Sequence, residues 1–157
     1  MSFYDANKRL LAIASFGGHW VQLMRLKKSF VDFDVHYVST AEDQPSELKG
    51  SDNYHLVDDV SADSGFAQIF KSIYKAFILL YKMRPAVVVS TGALPGLIFL
   101  VISKILFRSK TVWVDSIANS EKISFSGRVA RYFSDIYLTQ WEHLAGDGKL
   151  KFIGRVI

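Results

Sequence analysis

A chain of 157 residues is one domain in length and hides about two-thirds of its unfolded surface on folding, so neither a disulfide nor a metal is needed to hold it. With no cysteine there is no disulfide framework, thiol nucleophile or cysteine-based metal site, and at 50% apolar and 14% aromatic residues the chain lies far from disorder. The 19 Lys and Arg against 15 Asp and Glu give a net charge of +4 and a pI near 9.3, which suits an anionic partner (phosphorylated lipid, nucleotide or nucleic acid) and equally an ordinary, mildly basic soluble protein.

In chain order, Leu10 to Phe16 is a short apolar run closed by Gly17-Gly18, the pattern of a parallel strand buried on both faces. Trp20, Val21, Leu23, Met24, Leu26 and Phe30 recur mostly at three- and four-residue spacings with Arg25, Lys27 and Lys28 between them, predicting an amphipathic helix over Trp20 to Phe30. The β-branched run Val35 to Thr40 predicts a second strand and Tyr54 to Val57 a short third one. Between them Ala41 to Asn53, with Pro45 and Gly50, reads as a loop with room for one helical turn. Asp63-Ser64-Gly65 introduces a helix over Phe66 to Met83 that Arg84-Pro85 ends. Then come a strand Ala86 to Ser90, an apolar helix Leu97 to Phe107, a strand Lys110 to Asp115, a helix Gly127 to Phe133, a strand Ile136 to Thr139 and a last short strand Lys151 to Ile153. Leu10 to Phe16 is too short for a signal peptide or a span, and no later uncharged apolar run reaches the roughly 18 residues a span needs, so the protein should not cross a bilayer.

Strands alternating with helices from start to finish predict a single α/β domain over residues 1–157, a Rossmann-like, doubly wound parallel sheet, because parallel strands need crossover connections. Ligands of such sheets bind outside the carboxyl ends of the strands. That rule selects Gly17 to His19, Ser90 to Gly92, Asp115 to Asn119 and Gln140 to Glu142.

Gly17 and Gly18 permit a tight turn ahead of a helix N-terminus, whose free amides and partial positive charge suit an anion, although the full G-x-G-x-x-G spacing is missing. His19 beside them can reach a ligand, and imidazole is the side chain whose ordinary titration suits a general base near neutral pH; it can equally cap the helix or bond a carbonyl. Ser90-Thr91-Gly92 before Pro95-Gly96 makes a second loop of hydroxyl and amide donors, or a plain strand-to-helix turn. Asp115 ends an apolar strand, where a carboxylate is costly unless it is paired or faces a cleft; the alternative is an N-cap for the next segment of chain. His36, His55 and His143 are scattered without metal-ligand spacing, and there is no G-x-S-x-G elbow, Walker lysine or RNP-like strand, so no metal, no cofactor and no nucleic acid are expected. The helix Phe66 to Arg84, with Lys71, Lys75, Lys82 and Arg84 among aromatic residues, and the helix Leu97 to Phe107 suit peripheral contact with an anionic membrane surface, or core packing.

The motifs F-G-G-H-W, V-V-V-S-T-G-A-L-P-G, T-V-W-V-D-S-I-A, S-F-S-G-R-V-A-R-Y-F, D-I-Y-L-T-Q-W-E and F-I-G-R-V, in that order along essentially the whole chain, resemble the PssD type of bacterial polysaccharide biosynthesis protein. They are similar in turn to the membrane-anchor subunit of the split eukaryotic UDP-GlcNAc transferase acting on dolichol-linked oligosaccharide, and to the N-terminal half of MurG-like, GT-B glycosyltransferases. The resemblance implies an acceptor-side GT-B half, an accessory subunit of an inverting transferase that moves a sugar from a UDP-sugar to a polyprenyl-pyrophosphate-linked saccharide in capsule or exopolysaccharide assembly. It implies a small partner resembling the C-terminal half of MurG that binds the UDP-sugar, and little activity without it. It implies a place at the cytoplasmic face of the cell membrane, held there by surface helices or the partner. His19 matches the histidine of the MurG glycine loop, a candidate base or phosphate contact, and Asp115 falls where relatives often have Glu. Gly17, Gly18, Thr91, Gly92 and Asn119 are the expected acceptor contacts. Ser15 stands where the MurG pattern has a further glycine, a departure that thins the phosphate cradle. The rival expectation is a non-catalytic scaffold that recruits the catalytic partner to the membrane, with His19 structural.

Overall fold

The computed structural model describes residues 8–48, 53–146 and 148–156; Gly50 of the expected loop and the terminal Ile157 lie outside the described residues. Strands β1 (Arg9–Ala14), β2 (Asp34–Ser39), β3 (Tyr54–Leu56), β4 (Val87–Ser90), β5 (Lys110–Val114), β6 (Ile136–Thr139) and β7 (Leu150–Phe152) form one parallel sheet. Their order is β3-β2-β1-β4-β5-β6-β7. The helices are α1 (Gly18–Arg25), α2 (Phe66–Met83), α3 (Ala93–Phe107) and α4 (Phe125–Ala130). The expected Rossmann-like α/β architecture is therefore the observed one.

The two-residue period of a strand divides its side chains between the two faces of the sheet. Leu10, Ala12 and Ala14 of β1 join Trp20 and Leu23 of α1 on one face. Leu11 and Ile13 join Ala76 and Leu80 of α2 and Phe99 of α3 on the other. Farther along that second face, Leu97 and Leu100 of α3 close over Trp113 and Tyr137, with Ala130 of α4 beside them. Burial on both faces is why these strands read as unbroken apolar runs.

Three helices differ from expectation in their bounds. The first helix ends at Arg25 and continues as a tighter turn over Lys27–Phe30; Ser29 N–H donates to Leu26 O, and Phe30 joins the cluster of Trp20 and Tyr37. The expected helix from Leu97 starts at Ala93, since Pro95 is tolerated in a first turn that needs no amide from it. The expected helix from Gly127 starts at Phe125 because Ser124 caps it, its hydroxyl accepting from Gly127 N–H at 2.9 Å.

At the β2–β3 edge, His36 Nδ1 lies 3.2 Å from His55 Nε2 and His36 Nε2 lies 3.4 Å from Asp34. Burial, and then the neighbouring His36, hold the His55 imidazole below its ordinary range. A folded-state base that is harder to protonate than its unfolded counterpart contributes stability that is complete above about pH 6.5 and is lost as pH falls below it. Urea unfolding from about pH 7 down to about pH 5 should therefore show a shallower decline in His55→Gln than in the parent; equal slopes would remove His55 as the cause.

Candidate functional site

In this strand order the chain moves outward from β1 in opposite directions, so the switch point lies between β1 and β4, and ligands of such sheets bind outside the carboxyl ends of the strands there. Gly17 leaves β1 with φ of +101° and caps α1. The first amide bonded within the helix is that of Val21, to Gly17 O, so the amides of Gly18, His19 and Trp20 are left as the orphan donors of the first turn.

His19 and the β4–α3 loop are knitted together. His19 Nδ1 sits 2.9 Å from Thr91 O, and Thr91 Oγ1 donates to His19 O at 2.7 Å. A carbonyl only accepts, so Nδ1 carries a proton, which in the neutral imidazole places the lone pair on Nε2; Nε2 makes no hydrogen bond to the described residues. That is the tautomer a general base needs, fixed by backbone.

Gly92 makes the approach possible. Its φ is +138°, and a Cβ there would collide with Cε1 and Nδ1 of His19. The next residue, Ala93, also has a positive φ, of 67°, an observed strain at the switch point. Gly92→Ala is expected to cost about 1–3 kcal/mol in urea unfolding and to shift the His19 ring resonances. An unperturbed ring would mean that the close packing does not hold in solution.

The remaining expected site residues are placed differently. The Thr91 hydroxyl is buried and spent on His19, and the Gly92 amide donates to Ser90 Oγ, so neither is free to meet an acceptor phosphate. Asp115 is 1% exposed. Its Oδ1 accepts from Trp113 Nε1 and Ser124 Oγ–H, and its Oδ2 from Ser124 N–H and Asn119 Nδ2. Four donors from three residues surround the carboxylate, and through them Asp115 anchors the 116–124 loop to the end of β5. Asn119 is thereby committed to Asp115 through Nδ2. Of the expected site residues, Gly18 and His19 keep backbone amides, and His19 its Nε2, without a hydrogen bond to the described residues.

Sequence reasoning passed over Gln22 and selected Gln140 only as part of a strand end, without a role; both are buried. Gln22 Oε1 accepts from Ile117 N–H and Gln140 Nε2, while its Nε2 donates to Ser116 Oγ at 3.1 Å. Gln140 Oε1 accepts from Val156 N–H. The two amides join α1, the β5 loop, the end of β6 and the C-terminal segment. The available signal was an amide on the buried stripe of α1 between Val21 and Leu23. Trp141 adds a tie, Nε1 to Ile117 O at 2.8 Å, with the Arg155 guanidinium 4.6 Å over its ring. Among the described residues no three metal-ligating side chains converge.

A family model described as oligosaccharide biosynthesis protein Alg14 like matches residues 57–156, which takes in Thr91, Gly92 and Asp115. The UDP-N-acetylglucosamine transferase subunit ALG14 of Mus musculus is 28% identical over 180 residues, 95% of this chain and 83% of that one. The subunit of the same name from Eremothecium gossypii is 34% identical over 84 residues, 50% of this chain and 37% of that one. Among solved structures, Acinetobacter baumannii MurG matches with a TM-score of 0.72 at 11% identity, over 92% of this chain and 45% of its own. UDP-N-acetylglucosamine 2-epimerase from Rickettsia bellii matches at 0.66 and 16% identity, over 94% and 45%. The chain thus spans a little under half of those two structures, and at such identities the likeness concerns the fold.

Proposed function

We propose, for a chain that belongs to the Alg14-like family of oligosaccharide biosynthesis proteins, the role of acceptor-binding subunit in a two-component inverting glycosyltransferase. In this reading the chain is the acceptor-side GT-B half and a small subunit resembling the other half of MurG binds the UDP-sugar. The sugar passes to a polyprenyl-pyrophosphate-linked saccharide of capsule or exopolysaccharide assembly, as in proteins of PssD type, with a hexosyl or glucuronosyl donor. The observation that carries it is His19, whose Nε2, with no hydrogen bond to the described residues, lies at the switch point beside the unpaired amides that come after Gly17. His19 takes the proton of the acceptor hydroxyl, while the amides of Gly18 and of the first turn of α1 face the acceptor's pyrophosphate. Thr91 and Gly92 position His19, and Asp115 and Asn119 hold the neighbouring loop.

Membrane contact at the cytoplasmic face forms part of the proposal. No helix of the described residues is long and apolar enough to cross a membrane. Phe66 and Phe70 of α2 are 92% and 75% exposed, and an apolar groove lined by Phe70, Ile73, Tyr74, Phe77, Ile102 and Leu106 runs between α2 and α3. Lys71, Lys82 and Arg84 flank this surface, as a peripheral, anionic-lipid contact requires.

The scaffold reading draws support from the same geometry, because Thr91, Gly92 and Asp115 are all consumed within the protein. One set of preparations tests the proposal. The chain is made alone and with its candidate partner and assayed for transfer from several UDP-sugars to a lipid-linked acceptor, and membranes carrying it are washed with high salt and at alkaline pH. Transfer confined to the mixture, with release by the washes, is expected; robust turnover by the lone chain would sink the two-component reading, and retention through both washes the peripheral one.

A further inference from the structure

We infer that the recess between α4 and the β6–β7 edge is a binding site for a phosphate-bearing ligand, held by Arg128, Arg131, Lys149 and the Tyr137 hydroxyl. It lies away from the switch point: Tyr137 is the second residue of β6, paired in register with Leu150, and Lys149 immediately precedes β7, whereas His19 sits beyond the opposite, carboxyl ends of the strands. The inference does not rest on the proposed transferase role.

The recess has a volume of about 480 Å³ and includes the four polar residues above with Ile123 and Leu150 in its apolar wall. No carboxylate of the described residues lines it. Arg128 and Arg131 are three apart at the end of α4 and share a side of the helix. Neither joins an ion pair among the described residues. Lys149 Nζ donates to Arg131 O at 2.8 Å, which draws a third cation to the same rim. Three like charges on a rim that no carboxylate of the described residues lines repel one another, and an anion between them reverses the sign of that interaction.

Tyr137 is the independent observation. It is 3% exposed, its ring packs under α3 and α4, and its hydroxyl makes no hydrogen bond with the described residues while lining the recess. The ring fixes the phenol while its hydroxyl opens on the recess, where a phosphate oxygen can accept its proton without a protein bond having to be broken first. Burial, and then the Asp115 charge, push the phenol up to about 12, so it remains a donor at neutral pH. Guanidinium groups match phosphate oxygens in paired geometry, and the apolar wall strengthens the attraction by thinning the water around it.

The test uses the full chain and inorganic pyrophosphate, titrated by calorimetry. Saturable binding is expected, weakened about tenfold or more by the double variant Arg128→Gln/Arg131→Gln and about three- to tenfold by Tyr137→Phe, which keeps the ring and should leave the thermal midpoint unchanged. The charge-matched pair Lys27→Gln/Lys28→Gln, on the turn after α1, should bind like the parent. A parallel arm measures sedimentation with phosphatidylcholine vesicles with and without phosphatidic acid. If Tyr137→Phe weakens pyrophosphate binding, the ligand is a soluble phosphate; if it weakens only the phosphatidic acid arm, the ligand is a lipid headgroup. Absence of binding in both arms, or binding that Tyr137→Phe leaves unchanged, overturns the inference.

Discussion

Changing His19 to alanine is expected to lower turnover of the assembled transferase by about 10²- to 10⁴-fold, the range supplied by one positioned general base, with the complex intact. The folded chain loses the Nδ1 bond to Thr91 O, worth about 1 kcal/mol net, so assembly should survive. His19→Asn separates positioning from chemistry: its amide can still donate to Thr91 O, but nothing replaces the Nε2 lone pair. Turnover should therefore stay low in both variants, with near-parental thermal midpoints. Normal turnover in His19→Ala, measured on a complex verified by gel filtration, would favour the scaffold reading.

Asp115→Ala is expected to destabilise the chain by about 3–5 kcal/mol in urea unfolding. The mutation strands Trp113 Nε1, the N–H and Oγ–H of Ser124 and Asn119 Nδ2, in a site where little water can replace the carboxylate. Each buried donor left unmade costs about 1–3 kcal/mol, and relaxation of the loop recovers part of the sum. Against a total stability of about 5–15 kcal/mol this is a large fraction. Trp113, wholly buried beside the lost carboxylate, should report it as an altered fluorescence. Because Asp115 holds structure, turnover per folded complex should change far less than the folded fraction does. A variant of parental stability with abolished turnover would return Asp115 to the chemistry.

Much of the fold was legible because its signals are local. Apolar runs such as Val87 to Ser90, closed by Thr91-Gly92, differ from the three- and four-residue spacing of Phe66 to Met83 within a few residues of chain. Helix starts were less legible at Ala93 and Phe125, since Gly92's backbone and Ser124's cap set them more than the apolar pattern did. At the site, position at a strand end selected Gly17, Gly18, His19, Thr91, Gly92, Asp115 and Asn119, but it carries no information on the bonds that the Thr91 hydroxyl, the Asp115 carboxylate and Asn119 Nδ2 make within the protein.

By itself the sequence determined the alternation of strands and helices, the parallel sheet that this alternation requires and the glycine-histidine loop at the end of the first strand. All of these depend on periodicity and backbone freedom among near neighbours. The tertiary structure alone decided which polar groups remain available. His19 meets Thr91 across 72 residues and Gln22 meets Gln140 across 118. Those separations close only when the strand order places β1 beside β4 and draws the ends of β5 and β6 toward α1, so whether a donor is spent or free is set by the sheet's topology.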